Sequence, residues 1–300
     1  MKASDAKEFF KKLIPGKKKE KWAMVLEGGA MRCIFTSGVL DAIHENYMKK
    51  FDYMISVSAG TGCGISFLAD QKGRSQKIFL NFLSTRQFID FRRFLKGNHI
   101  MDLGYAIREI NEKLLPVNMK KFEASKTEFY TVLTNADTGE AHYIRPKAEN
   151  LMNALIASCN LPYLTRSPAD YKGGRYVDGG IVAPIPLQKA LDLGATKIVV
   201  IMTRPYGFRK ERSTFLRKVM GTIFNEFDNL QDSIENDYIN YNLNKVFVEE
   251  FISSEVDVIL VYPPDDFPVE RLTTKHGALL EGYAMGVIEG MKLADRLHYL

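Results

Sequence analysis

The sequence predicts an α/β protein with a mostly parallel central sheet covered by helices on both faces. Three observations carry this. Strand-like apolar runs alternate with helical segments along nearly the whole chain, glycine-rich turns follow three of those runs, and central runs such as "TKIVVIMT" are apolar without interruption. Uninterrupted apolar strands are those buried on both faces, and strand–helix alternation is the pattern of parallel strands joined by crossovers.

Taken in order, "KWAMVLEGG" reads as a strand and a glycine turn, and "IFTSGVLDAIHENYM" as the amphipathic helix that follows. "FDYMISVS" is a second strand, and "AGTGCGISFLAD" a helix packed close to it. Residues 71–118 are charged and helical, and "EFYTVLTNADTGEAHYI" is a hairpin turning at Asp137-Thr138-Gly139. "LMNALIASCNLP" is a short helix that ends before Pro162, because the residue before a proline avoids the α region. A strand then enters the turn "VDGG". A helix at "PLQKALDLG", the strand "TKIVVIMT", a polar helical region over 204–250, the strand "VDVILVYPP" and a helix from about 274 to 297 complete the chain.

With no internal repeat or low-complexity linker, 22–297 reads as a single domain preceded by a basic, flexible tail, 1–21. Eight of the lysines lie in that tail against three acidic residues, whereas the remainder balances 33 basic with 33 acidic side chains. The tail is a solvated leader or a weak contact for anionic lipid head groups. A neutral body without a recognition motif argues against nucleic acid. No run of about 18 apolar residues predicts a membrane-crossing helix, and no apolar stretch near the start resembles a secretory signal. Scattered Cys33, Cys63 and Cys159 form no metal or disulfide pattern. A cytoplasmic protein, peripheral at most to the inner membrane face, is expected.

Each of the three glycine turns follows a strand, and sites in open α/β sheets gather at the carboxyl ends of strands. In "EGGAMR", Gly28-Gly29-Ala30 bares amides that could meet an anion, or simply makes a tight turn. It matches neither a dinucleotide fingerprint nor a P-loop. In "ISVSAGTG", Ser58 has a strand before it and a helix after it, the setting of a nucleophile elbow, with a helix N-cap as the plainer role. Ser56 lies inside the strand. In "YVDGG", Asp178 is an Asx-turn residue or a carboxylate aimed into a site. Together these are the parts of an acyl-transfer site. The histidines (His44, His99, His142, His276, His298) lie in polar segments expected to be exposed, so a serine–aspartate dyad is more economical than a triad.

Four segments in order, "MVLEGGAMRCIFTSGVLDA", "SVSAG", "ASCNLP" and "VDGG", resemble the patatin-like phospholipases over about residues 22–297, most closely the bacterial single-domain members. The resemblance implies a three-layer α/β/α fold and hydrolysis of phospholipid or lysophospholipid acyl esters by a Ser–Asp dyad, with no metal or cofactor. It makes Ser58 the nucleophile and Asp178 the base, with Gly28, Gly29 and Ala30 as oxyanion-hole amides. Arg32, Gly60, Gly179 and Gly180 support the motifs. Arg32 is expected to make a structural salt bridge, with a substrate phosphate as the alternative.

Ala30, Cys33 and Ser56 stand where the family has glycines. Ala30 keeps its amide, but a Cβ there costs on the order of 1 kcal/mol if φ is positive. These departures keep two alternatives open: a lipid-binding member with little hydrolase activity, and a soluble short-chain esterase or thioesterase. The basic, aromatic segment 204–220 is either an interfacial surface or an ordinary solvated helix.

Overall fold

The computed structural model describes residues 20–162, 164–212, 224 and 226–299. Most of the basic tail and the second half of the 204–220 segment lie outside them. Among the described residues, the strands are β1 (Trp22–Leu26), β2 (Tyr53–Val57), β3 (Glu128–Asn135), β4 (Ala141–Ile144), β5 (Ala169–Tyr171), β6 (Gly174–Asp178), β7 (Lys197–Ile201) and β8 (Asp257–Val261). They form one sheet in the order β5-β6-β3-β2-β1-β7-β8, with β4 also paired to β3. The β3-β2-β1-β7-β8 portion is parallel, and the β3, β4, β5 and β6 pairings are antiparallel.

The principal helices are α1 (Cys33–Tyr47), α2 (Ala59–Leu68), α3 (Gly104–Leu114), α4 (Leu151–Ser158), α5 (Leu187–Asp192), α6 (Asp228–Glu235), α7 (Asp237–Glu249) and α8 (His276–His298). Side chains alternate across a strand, so each parallel strand feeds both faces. Met24 and Leu26 of β1 pack with Ile34, Phe35 and Val39 of α1 and Leu279 and Leu293 of α8. Ala23 and Val25 of the same strand pack the other way, with Leu187 and Ala190 of α5 and Val248 of α7. The result is a mostly parallel sheet with helices on both faces.

Three features differ from the sequence expectation. Residues 204–212 run as turns and irregular chain, and helix begins again at Asp228. The 71–118 region is broken into short helices, and Phe79–Leu83 and α3 are wound as π-helices. The short strand β5, absent from the sequence reading, pairs with β6.

The sheet register positions the candidate dyad. Val57, the last residue of β2, pairs with Val132 of β3, and Asp178, the last residue of β6, pairs with Leu133. β4 occupies the opposite edge of β3 over Thr131–Thr134. β2 and β6 therefore share one edge of β3, run toward each other along it and stop at neighbouring positions. This corrects the argument from carboxyl ends of parallel strands. That argument holds for the turns after β1 and β2, but β6 is antiparallel and reaches the site only because it docks beyond the end of β2.

Candidate active site

Ser58 is the turn residue between β2 and α2. Its backbone sits at φ 53, ψ −131, and its side chain makes no helix-cap hydrogen bond. A non-glycine residue there is strained by about 1–3 kcal/mol and is held by its surroundings. One restraint is the Ser158 hydroxyl, which accepts the Ser58 amide at 2.9 Å and donates to the Val132 carbonyl at 3.0 Å. Another is close packing behind the turn, where a Cβ on Gly60 would come within 2.8 Å of the Glu27 carbonyl oxygen. Instead of capping the helix, Ser58 Oγ donates to Asp178 Oδ2 at 2.5 Å.

Asp178 divides its two oxygens between the two roles open to it in the sequence. Oδ1 accepts the Gly180 amide at 2.7 Å, which is an Asx turn, and Oδ2 accepts from Ser58. Its amide donates to the Asn160 carbonyl at 3.0 Å, and its own carbonyl accepts the Thr134 hydroxyl at 2.9 Å. Gly179 is obligatory, because any Cβ would collide with the Val132 carbonyl oxygen. The carboxyl is only 3% exposed, and burial pushes its pKa up to about 6. The hydrogen bonds from Ser58 and Gly180, then the Arg271 and Lys210 charges, limit that rise.

The turn after β1 is held from both sides. Glu27 N donates to the Ile201 carbonyl at 3.0 Å and Met31 N to the Arg271 carbonyl at 3.2 Å, while among the described residues the Gly28, Gly29 and Ala30 amides between them have no partner. Ala30 sits at φ 49, so its Cβ carries the penalty of about 1 kcal/mol foreseen for that position. Beneath the turn, the buried Glu27 carboxylate accepts the Thr203 amide at 2.5 Å and the Tyr241 hydroxyl at 3.0 Å. Thr203 Oγ1 closes the unit by donating to the Gly28 carbonyl at 2.8 Å.

These parts face one cavity of about 180 Å³, lined by Gly28, Gly29, Ala30, Arg32, Ser58, Asp178 and Gly180. Its lining includes apolar residues such as Phe79, Leu83, Phe88, Ile89, Leu103 and Ile107 together with the cationic Arg204, Lys210 and Arg271. Among the described residues no histidine lines it.

Several expectations need correction. Arg32 is 4% exposed but makes no salt bridge among the described residues, and within them its buried Nε and Nη1 have no hydrogen-bond partner. His44 is buried rather than exposed, 3.3 Å from Asp70 and edge-on to Phe67, away from the cavity. Ser56 does more than fill a glycine's place. Its hydroxyl lies 3.0 Å from the Tyr130 carbonyl and 3.2 Å from Thr61 Oγ1, and Thr61 continues through Thr131 to Ser158. This buried hydroxyl chain ends under the elbow.

Sequence reasoning missed the roles of Ser158, Asn160, Glu27 and Arg271. "ASCNLP" was legible as a motif segment, but its task, holding the amides of Ser58 and Asp178 from positions two residues apart, is visible only in three dimensions.

A family model described as "Patatin-like phospholipase" matches residues 24–191. The chain is similar to YjjU of Escherichia coli strain K12, an uncharacterized protein, at 29% identity over 272 residues, covering 89% of this chain and 75% of YjjU. Its fold is similar to the crystal structure of VipD from Legionella pneumophila, with a TM-score of 0.51 at 14% identity over 93% of this chain and 67% of VipD.

Proposed function

Since the chain belongs to the patatin-like phospholipase family, a family of lipid acyl hydrolases, we propose that it cleaves carboxylic esters of phospholipids or lysophospholipids through a Ser58–Asp178 dyad. The observation that carries this reading is the 2.5 Å hydrogen bond from Ser58 Oγ, on a strained elbow at φ 53, to a buried carboxylate.

Asp178 takes the Ser58 proton as Oγ attacks the ester carbonyl. A carboxylate whose pKa is lifted to about 6 is a stronger base than an ordinary aspartate yet remains ionised at neutral pH. Negative charge develops on the carbonyl oxygen, where the Gly28–Ala30 amides, without a partner among the described residues, can donate to it. Collapse of the tetrahedral species expels the alcohol, which takes the proton from Asp178 and leaves an acyl-Ser58. Water, deprotonated by Asp178, then attacks the acyl carbonyl, and cleavage of the bond to Ser58 Oγ, which takes back the proton from Asp178, releases the fatty acid. The apolar part of the cavity lining suits the acyl chain and favours lipid over short-chain esters. No helix among the described residues is long and apolar enough to cross a membrane. In this reading the lipid is met from the aqueous side, by a cytoplasmic protein in peripheral contact with the bilayer.

A fluorophosphonate probe tests the scheme. Labelling of the wild type that disappears in Ser58→Ala is expected, and labelling that persists in Ser58→Ala would overturn the assignment. Acyl release from a panel of phospholipids and lysophospholipids, absent in Ser58→Ala, would then define the substrate.

A further inference from the structure

The cavity does not stop at the dyad. α2 begins immediately after Ser58, and its residues Ala59, Gly62 and Cys63 line the cavity. Positions three and four apart share one helix face, so the cavity follows α2 away from the nucleophile. Gly62 keeps the passage open: a Cβ built there would meet nothing within 4 Å. Ile78, Phe79 and Ile107 add apolar lining.

Two turns along α2 the lining becomes polar. Ser75 and Asn111, both buried, line the cavity, and Ser75 hydrogen-bonds the Cys63 thiol. The buried Arg74 ties this end together. Its Nη1 donates to Ser66 Oγ at 2.9 Å, and its Nη2 donates to Asn111 Oδ1 at 2.8 Å and to the Leu115 carbonyl at 2.6 Å. Ser66 Oγ donates onward to the Gly62 carbonyl at 3.1 Å, and Asn111 Nδ2 to the Ala106 carbonyl at 2.9 Å. Among the described residues, none of these side chains keeps a buried polar atom without a partner.

A saturated network of this kind is a wall, with no free group to offer a polar ligand. An alkyl chain could pass it only by breaking hydrogen bonds, and a buried polar group that loses its partner costs more than a methylene gains by leaving water. Ser66 lies eight positions beyond Ser58, about 12 Å along the helix. An extended hydrocarbon chain advances about 1.3 Å per carbon, because its C–C bonds are about 1.5 Å long.

We propose that Gly62 and the Ser75–Asn111–Arg74 network set the length of the acyl chain, making medium-chain esters of about eight to ten acyl carbons the substrates. The selection among esters rests on the hydrolase reading above; the closed end of the cavity does not.

The experiment measures kcat/KM for p-nitrophenyl butyrate, octanoate, decanoate, dodecanoate and palmitate, each at the same low mole fraction in one non-ionic detergent. Each added methylene ordinarily strengthens apolar binding. A maximum at octanoate or decanoate, followed by a fall of about tenfold or more at palmitate, is therefore expected only from a wall. Turnover that keeps rising to palmitate would leave the hydrolase reading standing and overturn the proposal.

Gly62→Leu should raise the butyrate-to-decanoate ratio of kcat/KM by about tenfold or more, and Gly62→Ala should raise it by less. Neither should lower Tm, because the position is open and both residues favour a helix over glycine. An unchanged ratio in folded Gly62→Leu overturns the proposal, and Gly62→Ala carries the same test if the leucine variant does not fold.

If no ester is cleaved, the hydrolase reading fails, and thermal unfolding of Ser58→Ala still tests the wall. Decanoate should raise its Tm more than palmitate does at equal submicellar concentration, and Ser58→Ala/Gly62→Leu should lose that rise. A larger rise with palmitate, or no rise with either acid, overturns the proposal.

Discussion

The Ser58 and Asp178 turns end two strands on the same edge of β3, yet only one is strained. Ser58 sits at φ 53 and depends on Ser158, 100 residues away, for its amide's partner. Asp178 sits at φ −50 and is satisfied two residues on by Gly180. Strain is thus concentrated at the atom proposed to attack, while the proposed base rests on a locally stable turn. The cost on the acid side is electrostatic instead: a buried carboxyl that would rather be neutral.

The largest effect that can break this comparison is expected from Asp178→Asn. Removing the base should lower kcat by about 10³-fold or more. It should also stabilise the fold. The carboxyl's pKa is raised by burial from 3.8 to about 6. Its neutral form therefore favours the native state below pH 4, and that contribution is lost as pH rises through about 6. At neutral pH the ionised group costs on the order of 3 kcal/mol, which Asn removes. Urea denaturation should show the gain at neutral pH shrinking toward pH 4, and a gain that is independent of pH would contradict the burial argument. For the wild type, kcat/KM should rise with pH as one proton leaves near pH 6.

Gly179→Ala comes next. The new methyl meets the Val132 backbone, which cannot rotate away, so a loss of about 3 kcal/mol is expected, with activity falling as Asp178 shifts. An unchanged Tm would mean that β6 is free to slide along β3. Ser158→Ala should act on the elbow, leaving the buried Ser58 amide unpaired at a cost of about 1–3 kcal/mol. Its decisive readout is a fall in kcat with KM nearly constant, since the pocket walls are untouched. The smallest effect sharpens the contrast: Ser58→Gly should be more stable than Ser58→Ala by about 1 kcal/mol, because glycine tolerates positive φ. Equal stability would deny that the elbow is strained.

How much of this was legible depended on how local each feature is. The three strand-end turns could be read because glycine and small residues at strand ends have few uses. The β3–β4 hairpin announced itself through its turn. The fragmentation of 71–118 did not, since short π-helical turns are set by packing rather than by a sequence period. His44 was misjudged for a similar reason: its helix carries it into contact with Phe67, a residue of another helix. Arg32, placed in the first turn of a helix, is expected from the sequence to make a structural salt bridge, and that it finds none among the described residues leaves no trace in a sequence.

What the sequence determined by itself was the family, the strand-and-helix alternation and the residue types of the site, all of which follow from local pattern. What only the tertiary structure decided was how those residues meet. Ser58 and Asp178 lie 120 positions apart and come together through a one-residue agreement in β3, where β2 stops at Val132 and β6 at Leu133. Register is set by side-chain packing across the whole sheet, and a shift of one residue would turn every side chain of β6 to the opposite face. The Arg32 guanidinium, whose Nε and Nη1 find no hydrogen-bond partner among the described residues, belongs to the same category, because which groups meet in a cavity is a property of distances that the order of residues along the chain does not contain.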